Sequence, residues 1–335
     1  MSRRFHRLGR TRIVLGSMLR LVLVLTAVAI LAFTLVKLSP LDPVNAYLGA
    51  DIARVGPEQR ALIAEKWGLD QPAPLQLAKW LENVLRGDLG YSMTFNAPVS
   101  EVLAARFRAS APLMALAWLL SGVLGFALGV IAGASEGSWT DRVIRLYAYV
   151  LASTPTFWLA ILLLTVFSVS LNWTPVCCAS PIGVLPEHVT WLLRLHHLIL
   201  PLMALTVLGV AQVALHTRAK MAENMQSDYA LYARAQGASR FDIALRHGAR
   251  NAALPAVTVL FASLGELFGG SILAEQVFAY PGLGKATVEA GIRGDVPLLL
   301  ALTLFLTSFV FFGNTIADLL YRLVDPRMQA REPVR

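Results

Sequence analysis

The sequence predicts an all-α, polytopic membrane protein with six transmembrane helices and both termini on the cytoplasmic side. Three observations lead there. Of the 335 residues, 56% are hydrophobic and only 15% are charged, against about a quarter charged in ordinary soluble domains. The apolar residues gather in six runs, each long enough for the roughly 20-residue helix that crosses a bilayer. Basic residues are spread unevenly over the segments that join those runs, and that bias sets orientation.

The six runs cover residues 21–38, 112–132, 147–171, 198–215, 255–273 and 298–320. The first follows the basic start MSRRFHRLGRTR, as a secretory leader would. It is longer than a leader's apolar core and no small-x-small site follows closely, so it is read as an uncleaved span. With the N-terminus inside, 18 of the 29 Lys and Arg residues fall on cytoplasmic segments and three on the two short outer loops. The rest lie in one long outer segment, where the charge rule carries little weight. The chain then divides into a cytoplasmic tail (1–20), a first span (21–38), an extracytoplasmic segment (39–111), a five-helix core (112–321) with a cytoplasmic loop at 216–254, and a cytoplasmic tail (322–335). The net charge of +8 is accounted for by orientation. It points to membrane lipid and away from nucleic acid.

In the outer segment, EQRALIAEKWGL and PLQLAKWLENVLRG have helical spacing of apolar residues, punctuated by Pro40, Pro43, Pro57, Pro72, Pro74 and Pro98. Two or three short helices are expected there, forming a surface for a partner. In the cytoplasmic loop, KMAENMQSDYALYARAQ reads as one helix ending at Gly237, because glycine takes the left-handed conformation past a helix end at little cost. Ser239 and Asp242 then have the form of a capping box. The next helix places Phe241, Ala244, Leu245, Ala249 and Ala252 near one face and is expected to end at Pro255, where the fifth run starts. A face built mostly of alanine is weak for lipid insertion and suits a protein groove.

No stretch carries bond-making chemistry. YPGLGKAT around Lys285 fails as a phosphate loop, since Ala279 stands where the first glycine belongs and Ala286 follows the lysine. There is no H-E-x-x-H and no G-x-S-x-G. The chain is therefore expected not to be an enzyme, with no cofactor. Glu266 stands near the middle of the fifth run, where an ionisable group costs roughly 2.5–3.5 kcal/mol unless it faces water or the bundle interior. It is expected to line a path and to favour a cationic or amine-bearing solute, with Gly265, Gly269 and Gly270 beside it permitting close helix approach. Glu275 and Asp318, near run ends, read as reached by water or headgroups, and Asn314 as a hydrogen-bonding group between helices. Cys177 and Cys178 are adjacent, which excludes a disulfide framework and strains an ordinary bridge between them. With His188, His196 and His197 they offer metal-ligand chemistry, but at no closed zinc spacing. No metal site is assigned.

Several stretches together resemble the permease subunits of bacterial ABC importers, in particular the dipeptide, oligopeptide and nickel group. They are SPLDPVNAYLG, LRGDLGYSMTFNAPVSEVLAARF, ASTPTFWLAILLLTVFSVSLNWTP, DYALYARAQGASRFDIALRHGARNAALP, AEQVFAYPGLGKATVEAGIRGDVPLL and NTIADLLYRLVDPR. They cover nearly the whole chain. The resemblance implies type I importer permease architecture and half of a pore. It implies a homologous permease subunit, two ATPase subunits and an extracytoplasmic solute-binding protein as partners. It also implies that Gly237, with Asp228, Tyr229, Ala233, Arg234, Ala235 and Ser239, forms the element that docks on the ATPase. One departure is that the Glu-Ala-Ala common before this glycine is Leu231, Tyr232 and Ala233 here, and Gln236 stands where a basic residue is frequent. Peptides or similar small solutes are the implied cargo. The alternatives are a nickel or metal-chelate permease and, in another class, a proton-coupled secondary transporter using Glu266. Such a transporter would have no use for a glycine-broken docking loop.

Overall fold

The computed structural model of the chain describes residues 2–40, 42–48, 55–66 and 68–324. The tail expected at 322–335 lies outside the described residues from 325 onward. In chain order the helices are α1 (Ser2–Leu38), α2 (Pro43–Leu48), α3 (Pro57–Lys66) and α4 (Ala73–Leu85). A short hairpin follows, β1 (Tyr91–Ser92) and β2 (Ala97–Pro98). Then come α5 (Val99–Ala134), α6 (Trp139–Ala152), α7 (Thr156–Leu163), α8 (Trp191–Met225), α9 (Asp228–Ala235), α10 (Arg240–Ile243), α11 (Ala249–Ala262), α12 (Leu264–Val277), α13 (Leu283–Ile292) and α14 (Val296–Val324). Wide π turns extend α7 through Leu164–Ser170 and join α10 to α11 through Ala244–Gly248.

Two compact units are present, Met1–Phe107 with Ala286–Phe311, and Arg108–Lys285 with Phe312–Arg335. In the first, the outer segment forms the short helices that its spacing predicts. α4 buries Trp80, whose indole N–H donates to the Leu89 carbonyl at 3.2 Å. The hairpin is antiparallel, with Tyr91 opposite Pro98. It is held by Asp295, which is fully buried. Asp295 Oδ2 accepts from Ser92 Oγ at 2.6 Å and from the Thr94 amide at 2.9 Å, while Oδ1 accepts from the Leu298 amide at 3.3 Å. One carboxylate thus caps α14 and fastens the hairpin. Gly90 approaches Pro297 so closely, at φ +89, that only glycine fits without strain.

In the second unit α8 is the central helix, flanked by α6, α7, α11 and α12. α5 meets α8 through Gly125, Gly129 and Gly133. A Cβ at these positions would lie 2.7, 2.4 and 2.5 Å from the Cβ atoms of Val213, Thr217 and Met221, respectively. Small residues at four-residue spacing let two backbones touch, which is how helices pack where lipid offers no hydrophobic drive. The glycines at 269 and 270 on α12 are less closely approached. A Cβ on Gly269 would meet nothing within 4 Å, and one on Gly270 would make only ordinary contacts.

Among the described residues four helices are long and apolar enough to span a membrane, and six spans result if each of two bent pairs counts as one. The expected third span, 147–171, is not one helix. α6 turns by 103° into α7 across Ser153–Pro155. Pro155 pushes Thr154 out of helical geometry, and the Ser153 and Thr154 hydroxyls donate back to the Tyr149 and Val150 carbonyls. In the expected fifth span, Pro255 lies inside α11 instead of ending the preceding helix, and the break falls at Ser263, where the chain bends by 49°.

Candidate coupling site and solute path

The residues that sequence reasoning grouped around Gly237 form one block at the end of α8. The single helix expected up to Gly237 breaks at Gln226–Ser227, since Ser227 takes the extended conformation of a helix start and Asp228 the first turn of α9. Gly237 has φ +87, and the Ala238 amide donates back to the Ala233 carbonyl at 3.0 Å, which closes α9 as a glycine C-cap does. Ser239 caps α10 as expected. Its Oγ accepts from the Asp242 amide at 3.1 Å and donates to Asp242 Oδ2 at 2.6 Å.

The inward faces of this block pack on α8. Ala230, Ile243 and Ala244 are buried against Met221 and Met225, with Ala233 half-buried beside them. Arg234 Nη2 donates to the Met225 carbonyl at 2.8 Å, and Asn224 Nδ2 to the Gly248 carbonyl at 3.1 Å. The alanine face expected to dock is therefore split. Ala244 and Ala252 are buried, while Phe241 and Leu245 point outward, because the π turn at Ala244–Gly248 changes the register of the face. What the block presents outward is Tyr229, Leu231, Tyr232 and Phe241, the last 70% exposed. Asp228, Arg234, Ala235, Gly237 and Ser239 are also exposed.

An ionic cluster that the sequence did not reveal anchors the same end. Asp141, fully buried, takes a two-point contact from Arg218 of α8, with Nε at 2.8 Å and Nη2 at 2.9 Å. Its Oδ2 also accepts from the Gly137 amide at 3.0 Å. Arg218 reaches Glu136 at 3.4 Å, and Glu136 accepts from Gln226 Nε2 at 2.7 Å, next to the start of α9. A forked guanidinium on a buried carboxylate fixes geometry as well as charge. Residues 136 and 218 lie too far apart in sequence for any spacing rule to pair them.

Glu266 borders a cavity of about 180 Å³ in the second unit. The two helix breaks supply part of its wall, through Thr154 and Thr156 on one side and Ser263 on the other. α5 adds Trp118 and Ser121, and α8 adds Gln212. Gln212 Nε2 donates to Glu266 Oε2. Trp118 is held by its indole N–H on the Leu260 carbonyl at 2.9 Å.

Glu275 is not at a wetted span end. It is fully buried. Its Oε1 accepts from Ser110 Oγ at 2.5 Å, and Oε2 from the Gly284 and Lys285 amides at 2.7 and 3.1 Å. The glycine loop that failed as a phosphate loop does cradle an anion, namely this carboxylate, at the N-terminus of α13. A Cβ on Gly282 or Gly284 would lie 2.3 Å from Glu275 Oε1 or 2.5 Å from the Ile272 backbone. Burial, and then the Glu275 charge, push the Tyr280 phenol up to about 12, so it stays a donor, to the Ala109 carbonyl at 3.1 Å. Asp318 and Asn314 are exposed on α14.

Cys177 and Cys178, expected to resist a mutual bridge, are joined to each other. Cys178 has φ +75 and its amide donates to the Phe278 carbonyl at 2.9 Å. His196 Nε2 and His197 Nδ1 lie 2.9 Å from the Trp173 and Cys177 carbonyls, so these rings hold the loop. Among the described residues no group of three or more His, Cys, Asp or Glu side chains is placed to hold a metal ion.

Comparison with known proteins bears on the whole chain. Residues 125–330 match the family described as binding-protein-dependent transport system inner membrane component, and residues 10–114 match its N-terminal companion. An oligopeptide transport system permease protein of Bacillus subtilis (strain 168) is 34% identical over 91% of this chain and 95% of its own length. A putative peptide transport system permease protein of Brucella abortus (strain 2308) is 37% identical over 95% and 99%. A probable peptide ABC transporter permease protein of Sinorhizobium fredii is 33% identical over 94% and 98%.

Proposed function

The chain belongs to the family of binding-protein-dependent transport system inner membrane components, and from that premise we propose that it forms half of the pore of an ATP-driven peptide importer. A multi-pass inner-membrane component of this kind is not an enzyme, and it works with an ATPase and a binding protein. The finer assembly is part of the proposal: a homologous permease subunit completes the pore, two ATPase subunits dock on the inner side, and an extracytoplasmic binding protein delivers the solute. Both termini and the loop 216–254 face the cytoplasm, and the segment 39–111 faces the binding protein.

The observation that carries this reading is the block around Gly237. Tyr229, Leu231, Tyr232 and Phe241 stand exposed on two short helices that Met221, Met225, Arg234 and Asn224 tie to α8. Exposed aromatic residues on a rigid base suit a protein cleft, and α8 carries any displacement of the block into the transmembrane core. ATP-driven closure of the ATPases would thereby rock the spans between outward and inward access. Peptide cargo is supported by the names of the relatives. The nickel or chelate alternative is not favoured, since those names point to peptides. A proton-coupled transporter does not accord with the family.

The test is uptake of a labelled oligopeptide into proteoliposomes that hold the chain with its partner permease and ATPase. Uptake is expected only with ATP and the binding protein both present. Uptake driven by a proton gradient without ATP would contradict the proposal.

A further inference from the structure

We infer that the cavity beside Glu266 is a solute subsite that receives the side-chain ammonium group of a basic peptide, and that Gln212 is the residue that aims the carboxylate. The inference rests on the permease reading and adds the chemistry of what the path prefers.

Depth is the first argument. Gln212 lies inside the fourth apolar run, three residues before its end at residue 215. Glu266 lies nine residues before Glu275 on α12, or about 13 Å. Glu266 thus stands near the middle of the fifth apolar run, 255–273, with Gln212 as its neighbour from the fourth. A carboxylate and an amide at that depth are stable only where they face a wet path or protein.

Backbone geometry is the second. The cavity is bounded by both broken spans, at Ser153–Pro155 and at Ser263. Irregular backbone at membrane depth is tolerated where it lines a cavity, and interrupted helices of transporters place their loose ends at the solute. The ends facing this cavity come in opposite pairs. α6 and α11 finish there, and α7 and α12 begin there. Their partial charges offset one another, so the Glu266 carboxyl group decides what the cavity prefers. Among the described residues no Lys or Arg pairs with Glu266. Gln212 occupies Oε2, which leaves Oε1 for an incoming donor. Trp118, fixed on Leu260, adds a flat apolar wall that tolerates a cation.

An ammonium satisfies this site better than a neutral donor, because it supplies both charge and hydrogen bonds to a carboxylate. The experiment compares three unblocked tripeptides, Ala-Ala-Lys, Ala-Ala-Ala and Ala-Ala-Glu, in proteoliposomes containing the complete complex and one fixed binding protein. The ratio of Lys-peptide to Glu-peptide uptake is read in the wild type and in Glu266→Gln. Preference within the binding protein cancels between the two. The ratio is expected to fall about tenfold in Glu266→Gln, the size of one charge-assisted hydrogen bond, with trialanine uptake reduced less. Glu266→Asp should keep the preference. Gln212→Lys, which sets an ammonium against Glu266, should abolish it, and serves as the second variant if Glu266→Gln does not assemble. An unchanged ratio in either variant, with binding-protein-stimulated ATP hydrolysis intact, overturns the inference. If the wild-type complex moves none of the three peptides, it is the importer reading that fails.

Discussion

Glu275 and Asp295 are both fully buried, and each spends its charge on backbone amides at a helix start. For Glu275 the partners are the Gly284 and Lys285 amides and the Ser110 hydroxyl. Glu275→Ala leaves these donors buried without that acceptor, at a cost of about 2 kcal/mol or more. The thermal unfolding midpoint of the detergent-solubilised complex should drop by several degrees, and Glu275→Gln should drop it less. An unchanged midpoint would show that the carboxylate does not hold the α12–α13 corner. None of this was legible in the sequence. Glu275 and Ser110 are 165 positions apart, and a carboxylate near a run end looks the same whether it meets headgroups or a nest of amides. Gly237 and Ser239 were legible, because a helix stop and a capping box are local chemistry between neighbours in the chain.

Among the elements, the long apolar runs were readable because length and hydropathy alone decide whether a helix can cross a bilayer. The break at Ser263 was not, since a serine inside an apolar run is tolerated in straight helices too; Pro155 does mark the other break through its local effect on Thr154, but a proline inside an apolar run also occurs in membrane helices that continue past it. Helix contacts were misplaced for a related reason. Glycines stood out near Glu266, yet the close approach runs along α5, where Gly129 leaves only 2.4 Å between an added Cβ and the Thr217 Cβ. Gly129→Val should push α5 off α8 at a cost of about 1–3 kcal/mol, seen as poor recovery of assembled complex and a lower unfolding midpoint. Gly269→Ala, in open space on α12, should leave the midpoint unchanged or raise it slightly. Equal effects from the two substitutions would contradict the packing described for α5 and α8.

For the whole molecule, the family agrees with what the sequence motifs implied and the four to six candidate spans accord with the six expected, while the ionic anchor at the Gly237 end came only from the structure. Arg218, Asp141, Glu136 and Gln226 join α6, α8 and the start of α9, so that a push on the block would be felt in two spans at once. Removing one partner from a buried pair costs about 3–5 kcal/mol when the other is left uncompensated, and less here, because Arg145 stays 3.3 Å from Asp141. Arg218→Met should therefore lower the unfolding midpoint and also the number of peptides moved per ATP, and a stable, fully coupled Arg218→Met complex would speak against the anchor. The central claim is that ATP-driven work enters this chain through the block closed by Gly237. At φ +87 a valine is disfavoured by about 1–2 kcal/mol, enough to weaken docking by about tenfold, while open space around the position leaves the rest of the fold in place. The most direct measurement is binding-protein-stimulated ATP hydrolysis by purified complexes carrying Gly237→Val, together with the amount of ATPase subunit that co-purifies. The account predicts loss of about tenfold in both, with the unfolding midpoint of the membrane part lowered by no more than a few degrees; full co-purification with wild-type stimulated hydrolysis would contradict it.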